Sequence, residues 1–279
     1  MARKPKAGGI KLLVVVSDLH CGDTAAIAPP GFMWGDDGNK LELNVFQSWL
    51  WGCWTEFGAW VLDTVGSEPY ALLINGDVTE GVHHGGKGIW SPHHADHLNA
   101  AAECLAPLAH SAQAIYIVDG TECHTRQGET GLGYMIDAKR DHLTGRFSAR
   151  KWKIDICGKR IHATHHVSTS AREYLKASKL SIALGDEILR YQKHRNPPDI
   201  ILRAHCHTAG EYREPTRMAI TTPPWKGIDR HTSKVVPGAD RDTVDVGGVI
   251  LDWREVEPGD LPMTRWKIYS PPAPKVESI

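Results

Sequence analysis

Residues 10–20 read IKLLVVVSDLH, in which the unbroken apolar run Leu12–Val16 stops on Ser-Asp-Leu-His. Successive side chains of a strand point to opposite faces, so a run that is apolar at every position belongs to a strand buried on both sides. Such a strand needs a sheet covered by other layers. The pattern recurs downstream. YALLINGD at 70–77 and AIYIVDGTECH at 114–124 are apolar runs that also end in polar residues. Between the first two, Leu43, Phe46, Leu50, Trp54, Phe57, Val61 and Val65 are spaced three or four apart, which predicts a helix over about 41–65. A second helix is expected over about 96–112. Strand alternating with helix argues for crossover connections and an α/β fold.

Further along, KWKIDICGKRIHATHH (151–166) reads as a hairpin turning at Gly158–Lys159, after a short helix near 131–143. Ser170 and Glu173 have capping-box spacing, and Pro197–Pro198 mark a stop, so a long helix is expected over 170–194. DIILRAHCH (199–207) is another strand ending in histidines. Strand-like stretches follow at 216–222, 243–253 and 264–269, then a proline-rich tail. No linker, repeat or low-complexity run interrupts the 279 residues, so a single domain over 1–279 is expected.

Composition narrows the function. The 32 basic and 33 acidic residues nearly cancel, so the broad positive footprint of a duplex-binding protein is missing, although a local patch is compatible with the count. The start, MARKPKAGGI, lacks the apolar region and cleavage site of a secretory signal, and no apolar run is long enough to span a bilayer. These features predict a cytoplasmic location and no membrane partner. The six cysteines form no CxxC pair, which argues against a zinc ribbon and for buried thiols. Histidine is abundant at 16 residues, clustered in 83–97, 162–166 and 205–207.

Position gives those histidines meaning. Asp18 and His20 follow the first strand, Asp77 the second, and Thr121, Glu122 and His124 the third. His165 and His166 end the hairpin, and His205 and His207 end a later strand. Ligands of open α/β sheets collect outside the carboxyl ends of the strands. A lone Asp-x-His, or a Gly-Asp after a strand, is common turn chemistry. The ordered recurrence at five strand ends carries the reading. Two divalent cations about 3.5–4 Å apart need a bridging anion, which a carboxylate such as Asp77 supplies. Mixed His/Asp ligation favours manganese first, with iron, zinc, nickel or cobalt as alternatives, over all-oxygen magnesium or calcium cages. In an extended backbone, Asp-x-His and His-x-His would each present both side chains on one face.

The ordered motifs SDLH, GDVTE, GTECH, THH and AHCH resemble those of the calcineurin-like metallophosphoesterase superfamily, whose pattern runs D-x-H, G-D-x-x-D/E, G-N-H-D/E, H and G-H-x-H. The resemblance covers about residues 10–210, leaving 211–279 as C-terminal strands and tail. It implies a four-layer α/β/β/α sandwich and two divalent metal ions. One ion would be held by Asp18, His20 and His207, the other by His165 and His205, with Asp77 between them. His165 is preferred to His166 because it directly follows the strand. The third motif departs from the pattern. Thr121 stands in place of a metal-binding Asn, and the histidine comes three residues later, similar to a Gly-Thr-x-x-His variant of phage-type members. Thr121, Glu122 or water would then complete the second ion's shell, and His124 would take the acid or phosphate-binding role.

The resemblance therefore implies a phosphoester hydrolase in which a hydroxide between the metals attacks phosphorus in line and His124 protonates the leaving group. A phosphodiesterase or nuclease comes first. The loop GVHHGGKGIWSPHHADH (81–97) offers His83, His84 and Lys87 for phosphate and Trp90 for a base, which would make the partner a nucleotide or nucleic acid. The alternatives are a phosphomonoesterase of a small metabolite or phosphoprotein, and a non-catalytic scaffold of the same fold. A purely structural zinc fits poorly, since such sites are closed Cys/His tetrahedra.

Overall fold

The computed structural model describes residues 9–35, 38–82, 86, 88–125, 128–167, 176–193, 196–228 and 244–271. The opening apolar run forms β1 (Leu12–Val16), buried at all five positions. It lies in the middle of a five-stranded sheet. On one side β1 pairs in parallel with β4 (Tyr70–Ile74), which pairs in parallel with β5 (Ala114–Ile117). On the other side it pairs antiparallel with β11 (Val246–Asp252), which carries β12 (Met263–Tyr269) at the edge.

Both faces of β1 are used. Leu12, Val14 and Val16 pack with Leu50, Trp54, Phe57 and Val61 of α1 (Val45–Val65) and with Ala101 and Leu105 of α2 (His94–Ser111). Leu13 and Val15 face the other way, into a core shared with a second sheet. That sheet runs in the order β6 (Trp152–Ile156), β7 (Lys159–Ala163), β8 (Ile200–Arg203), β10 (Met218–Thr221), β9 (Gly210–Arg213). Ile154, Ile161, Ile200, Leu202 and Ile220 meet Leu13, Leu73 and Leu251 between the sheets. Ile201 and Ala219 point outward to Leu180 and Leu184 of α5 (Lys176–Gln192). The layers are thus helix, sheet, sheet, helix, the four-layer α/β/β/α order expected from the motifs.

Local chemistry sets several boundaries. α1 starts later than its apolar spacing predicts because Asn44 caps it. The Asn44 side chain accepts from the Gln47 amide at 2.8 Å, and Gln47 answers the Asn44 amide, a capping box. The hairpin turns one residue earlier than expected, at Cys157–Gly158, with φ values of 53° and 78°, as a two-residue turn between twisted strands requires. α4 (Gly128–Met135) is shorter and earlier than the expected 131–143 helix; Asp137, at φ 55°, leaves the helical region. Three small elements were not foreseen: β9, the β2–β3 ladder (Met33–Trp34 with Asn39–Lys40) and α3 (Glu122–Thr125). The Ser170–Glu173 capping box lies outside the described residues. No helix among the described residues is long and apolar enough to cross a membrane.

Candidate metal centre

The carboxyl ends of β1, β4 and β5 from one sheet, and of β7 and β8 from the other, meet at one place. The parallel pairing of β1 with β4 continues past both strands. Asp18, His20 and Cys21 donate their amides to the carbonyls of Gly76, Asp77 and Val78 at 3.0, 2.9 and 3.1 Å. This zipper fixes Asp18, His20 and Asp77 side by side. From the second sheet, Ala204 donates to the His165 carbonyl at 2.8 Å, tying the β7 and β8 ends together.

The six expected ligands converge. Asp18 Oδ1 lies 3.9 Å from His20 Nε2, 3.8 Å from His165 Nε2 and 3.4 Å from His207 Nε2. Asp77 Oδ2 lies 3.8 Å from His20 Nε2, 3.0 Å from His165 Nε2 and 4.0 Å from His205 Nδ1. Asp18, His20 and His207 bring one ligand atom each within 4.8 Å of one another, and so do Asp18, Asp77 and His165. The two trios share Asp18, and Asp77 lies between the histidines of both sheets.

Extended backbone is not what aligns them. Asp18, His20, Asp77, His205 and His207 have φ values of 50°, 45°, 49°, 69° and 50°. Among the described residues only Asp137 and Cys157 are other non-glycine residues at positive φ. The alternation argument for Asp-x-His and His-x-His therefore lapses, and left-handed residues at alternate positions take its place. Asp and His tolerate that region better than most residues, yet each such position costs on the order of 1–3 kcal/mol.

The donor set fits divalent cations. Asp18 Oδ1, His20 Nε2 and His165 Nε2 are buried with no hydrogen-bond partner among the described residues. Buried polar atoms are normally satisfied, so three orphans aimed at one volume are what a cation would satisfy. The opposite face of each ring is held. His20 Nδ1 pairs with Glu80 Oε2 at 2.7 Å, and His165 Nδ1 donates to the Asn75 carbonyl at 2.6 Å. Such partners orient a ligating imidazole and raise its basicity.

Electrostatics agree. Burial pushes the Asp18 carboxyl up, but His165 and His207 outweigh it and bring the pKa down to about 2. Asp77 is likewise held well below the usual range against burial, by His165, His205 and His20. His165 is opposed by burial but raised to about 10 by Asp77 and Asp18. The pocket thus keeps two buried carboxylates ionised beside imidazoles, and a dication would take the place of the His165 proton.

Thr121 serves the carboxylate. Its amide donates to Asp77 Oδ1 at 2.5 Å and its hydroxyl to Asp77 Oδ2 at 3.1 Å, and the hydroxyl oxygen lies 3.2 Å from His205 Nδ1. His124 Nδ1 donates to the Glu80 carbonyl at 2.8 Å, and its ring centroid is 4.8 Å from that of His20. His166 stands beside the cluster, exposed, with ring centroids 5.1 Å from His165 and 4.6 Å from His205. Glu122 is exposed on α3. His83, His84 and Lys87 lie outside the described residues. Trp90 packs its ring against Phe32 and His97, at 5.7 and 5.4 Å between centroids.

Several supporting residues had no assigned role in the sequence. Glu80, the last residue of GDVTE, holds His20, and Lys226 neutralises it at 3.0 Å while also pairing with Asp23 at 2.8 Å. The x-x-E spacing after Gly-Asp was the available signal; Lys226 had none. Glu129 of α4 is buried with both carboxyl oxygens lacking a hydrogen-bond partner among the described residues.

Compared by sequence with protein families and with characterised proteins, the chain matches none. Among solved structures it is similar to Vps29 of Entamoeba histolytica in complex with zinc, at 11% identity and TM-score 0.41, over 93% of this chain and 98% of that one. It is similar to an archaeal phosphodiesterase at 10% identity and TM-score 0.42, over 92% and 99% of the two chains. A hypothetical protein of Pyrococcus horikoshii aligns at 9% identity and TM-score 0.45, over 92% and 86%. Likenesses this distant carry no weight for function, which rests on the site itself.

Proposed function

We propose that the chain is a dinuclear-metal phosphoester hydrolase, acting on a phosphodiester such as a nucleotide or nucleic acid. The observation that carries this reading is the set of buried ligand atoms on Asp18, His20, Asp77 and His165 that face one volume between the two sheets, each carboxylate no more than 3.9 Å from either imidazole. On this reading Asp18, His20 and His207 hold one ion, His165 and His205 the other, and Asp77 lies between them. Bound there, two divalent ions, manganese first, would supply Lewis-acid charge neutralisation and an acidified water.

The protein's own groups do the rest. Glu80 and the Asn75 carbonyl fix the rings of His20 and His165, so their Nε2 atoms are aimed before any ion arrives. Thr121 fixes the Asp77 carboxylate by two hydrogen bonds. His124, oriented by the Glu80 carbonyl, is the residue we assign to hand a proton to the leaving oxygen through Nε2. His84 and Lys87 remain proposed phosphate contacts.

One observation favours a second reading. The Thr121 hydroxyl gives its proton to Asp77 where the family pattern has an Asn ligand, which would suit a scaffold that binds a partner without hydrolysis. Hydrolysis of bis-p-nitrophenyl phosphate and p-nitrophenyl phosphate, with Mn²⁺ and with chelator, separates the two. Turnover that needs metal and is lost in Asp77→Ala supports the enzyme, and the faster ester gives the substrate class. His124→Ala should keep its metal and lose rate, roughly 10²–10⁴-fold for a general acid. Silence on both esters together with no bound metal would move the reading to the scaffold.

A further inference from the structure

We propose that His166 is a ligand of the second metal, standing in for the Asn that Thr121 replaces; the inference rests on the dinuclear reading above. The family pattern implies an amide oxygen at position 121. Thr121 has no such group, and its single hydroxyl proton is donated to Asp77 Oδ2 at 3.1 Å. Its amide is donated to the same carboxylate. Both donors of the residue therefore steady Asp77.

A replacement donor is already in place. His165, His166 and His205 each bring a ring nitrogen within 4.8 Å of those of the other two. The three rings meet edge to face, with interplanar angles of 79° between His165 and His166, 65° between His166 and His205, and 70° between His165 and His205. Adjacent residues in an extended strand point to opposite faces, so His165 and His166 could not share an ion within β7. The strand ends at Ala163, two residues earlier, and the chain beyond it is free of that rule. His165 is enclosed, whereas His166 is exposed to solvent.

The resulting shell is three imidazole nitrogens with the Asp77 carboxylate. Exchanging an amide oxygen for an imidazole makes the site more nitrogen-rich, which favours zinc, nickel, cobalt or iron over manganese at this position. The two sites of one enzyme would then differ in metal preference, with the Asp18 side the harder of the two.

The test uses the full chain, stripped with chelator and titrated with Zn²⁺ by calorimetry, with bound metal counted by mass spectrometry. Wild type should take two ions. His166→Ala should retain one tight ion and bind the second at least about 100-fold more weakly, since loss of even an outer partner costs about 10–100-fold. Adding Thr121→Asn to His166→Ala should restore the second ion. Two ions at wild-type affinity in His166→Ala would overturn the inference and leave the dinuclear reading intact. Fewer than two ions in wild type would overturn both. A second ion lost in His166→Ala and not regained with Thr121→Asn would overturn the claim that His166 stands in for the Asn.

Discussion

Replacing Glu129 with Gln should stabilise the metal-free protein, and by an amount that grows with pH. Glu129 is buried, and burial followed by the nearby Asp77 charge pushes its pKa from 4.5 up to about 8. Below pH 4.5 the group is protonated in both folded and unfolded chains. Between the two values only the unfolded chain ionises, so stability falls as pH rises, and the loss is complete above pH 8. Each pH unit in that window is worth about 1.4 kcal/mol. Between pH 5 and pH 8 the wild type should therefore lose roughly 4 kcal/mol through this residue, and Glu129→Gln should lose none of it. Urea unfolding of chelator-treated protein at the two pH values measures the difference directly. Asp77→Asn, which removes the second-largest cause, should shrink the wild-type loss. A gap between wild type and Glu129→Gln that is the same at pH 5 and pH 8 would refute the assignment of a buried, neutral carboxyl.

Two other substitutions test the surroundings of the site. In Gly120→Ala the new Cβ would lie 2.2 Å from Asp77 Oδ1 and 2.3 Å from the Asp77 amide. The Asp77 carboxylate must shift, so on the proposed reading metal affinity should fall by about 10–100-fold with far-ultraviolet circular dichroism unchanged; wild-type metal binding would show that Asp77 does not need its present place. Lys226→Met leaves Glu80 and Asp23 as buried carboxylates without their shared cation. Urea unfolding at neutral pH should show a loss of about 3–5 kcal/mol, and a loss below 1 kcal/mol would mean the pairing is not a stabilising one.

The parts of the fold that were legible in the sequence are those where burial leaves a simple trace. β1 and β4 are apolar without interruption, and β8 is apolar up to Arg203, because layers cover both faces. The α1 stripe at Leu50, Trp54, Phe57 and Val61 is visible because one face meets the sheet. β9, with the sequence Gly-Glu-Tyr-Arg at a sheet edge and no fully buried residue, left no such trace. The convergence of the six candidate ligands was legible because each stands just past a strand, but the reason they align was not. Side-chain alternation suggested extended backbone, while five of the six occupy left-handed conformations that no apolar pattern encodes. Glu80 stood in view within GDVTE, yet its role depends on Lys226, 146 residues away. Glu129 lay hidden in a glycine-rich helix, among Gly128, Gly131 and Gly133, whose propensity argues against helix.

The division of the proposed ligands between the sheets would have a mechanical consequence. Asp18, His20 and Asp77 extend from the first sheet, and His165, His205 and His207 from the second. Away from the site the two sheets meet through an apolar core that includes Leu13, Val15, Ile200 and Leu202, with polar ties from the Trp152 indole to the Ile117 carbonyl and from the Trp266 indole to Glu211. Ions held by both groups would rivet one end of that interface, so metal loading and the cohesion of the sandwich become a single equilibrium. Every increment of free metal above its dissociation constant would tighten the joint between halves, in the way any ligand specific to the native state does.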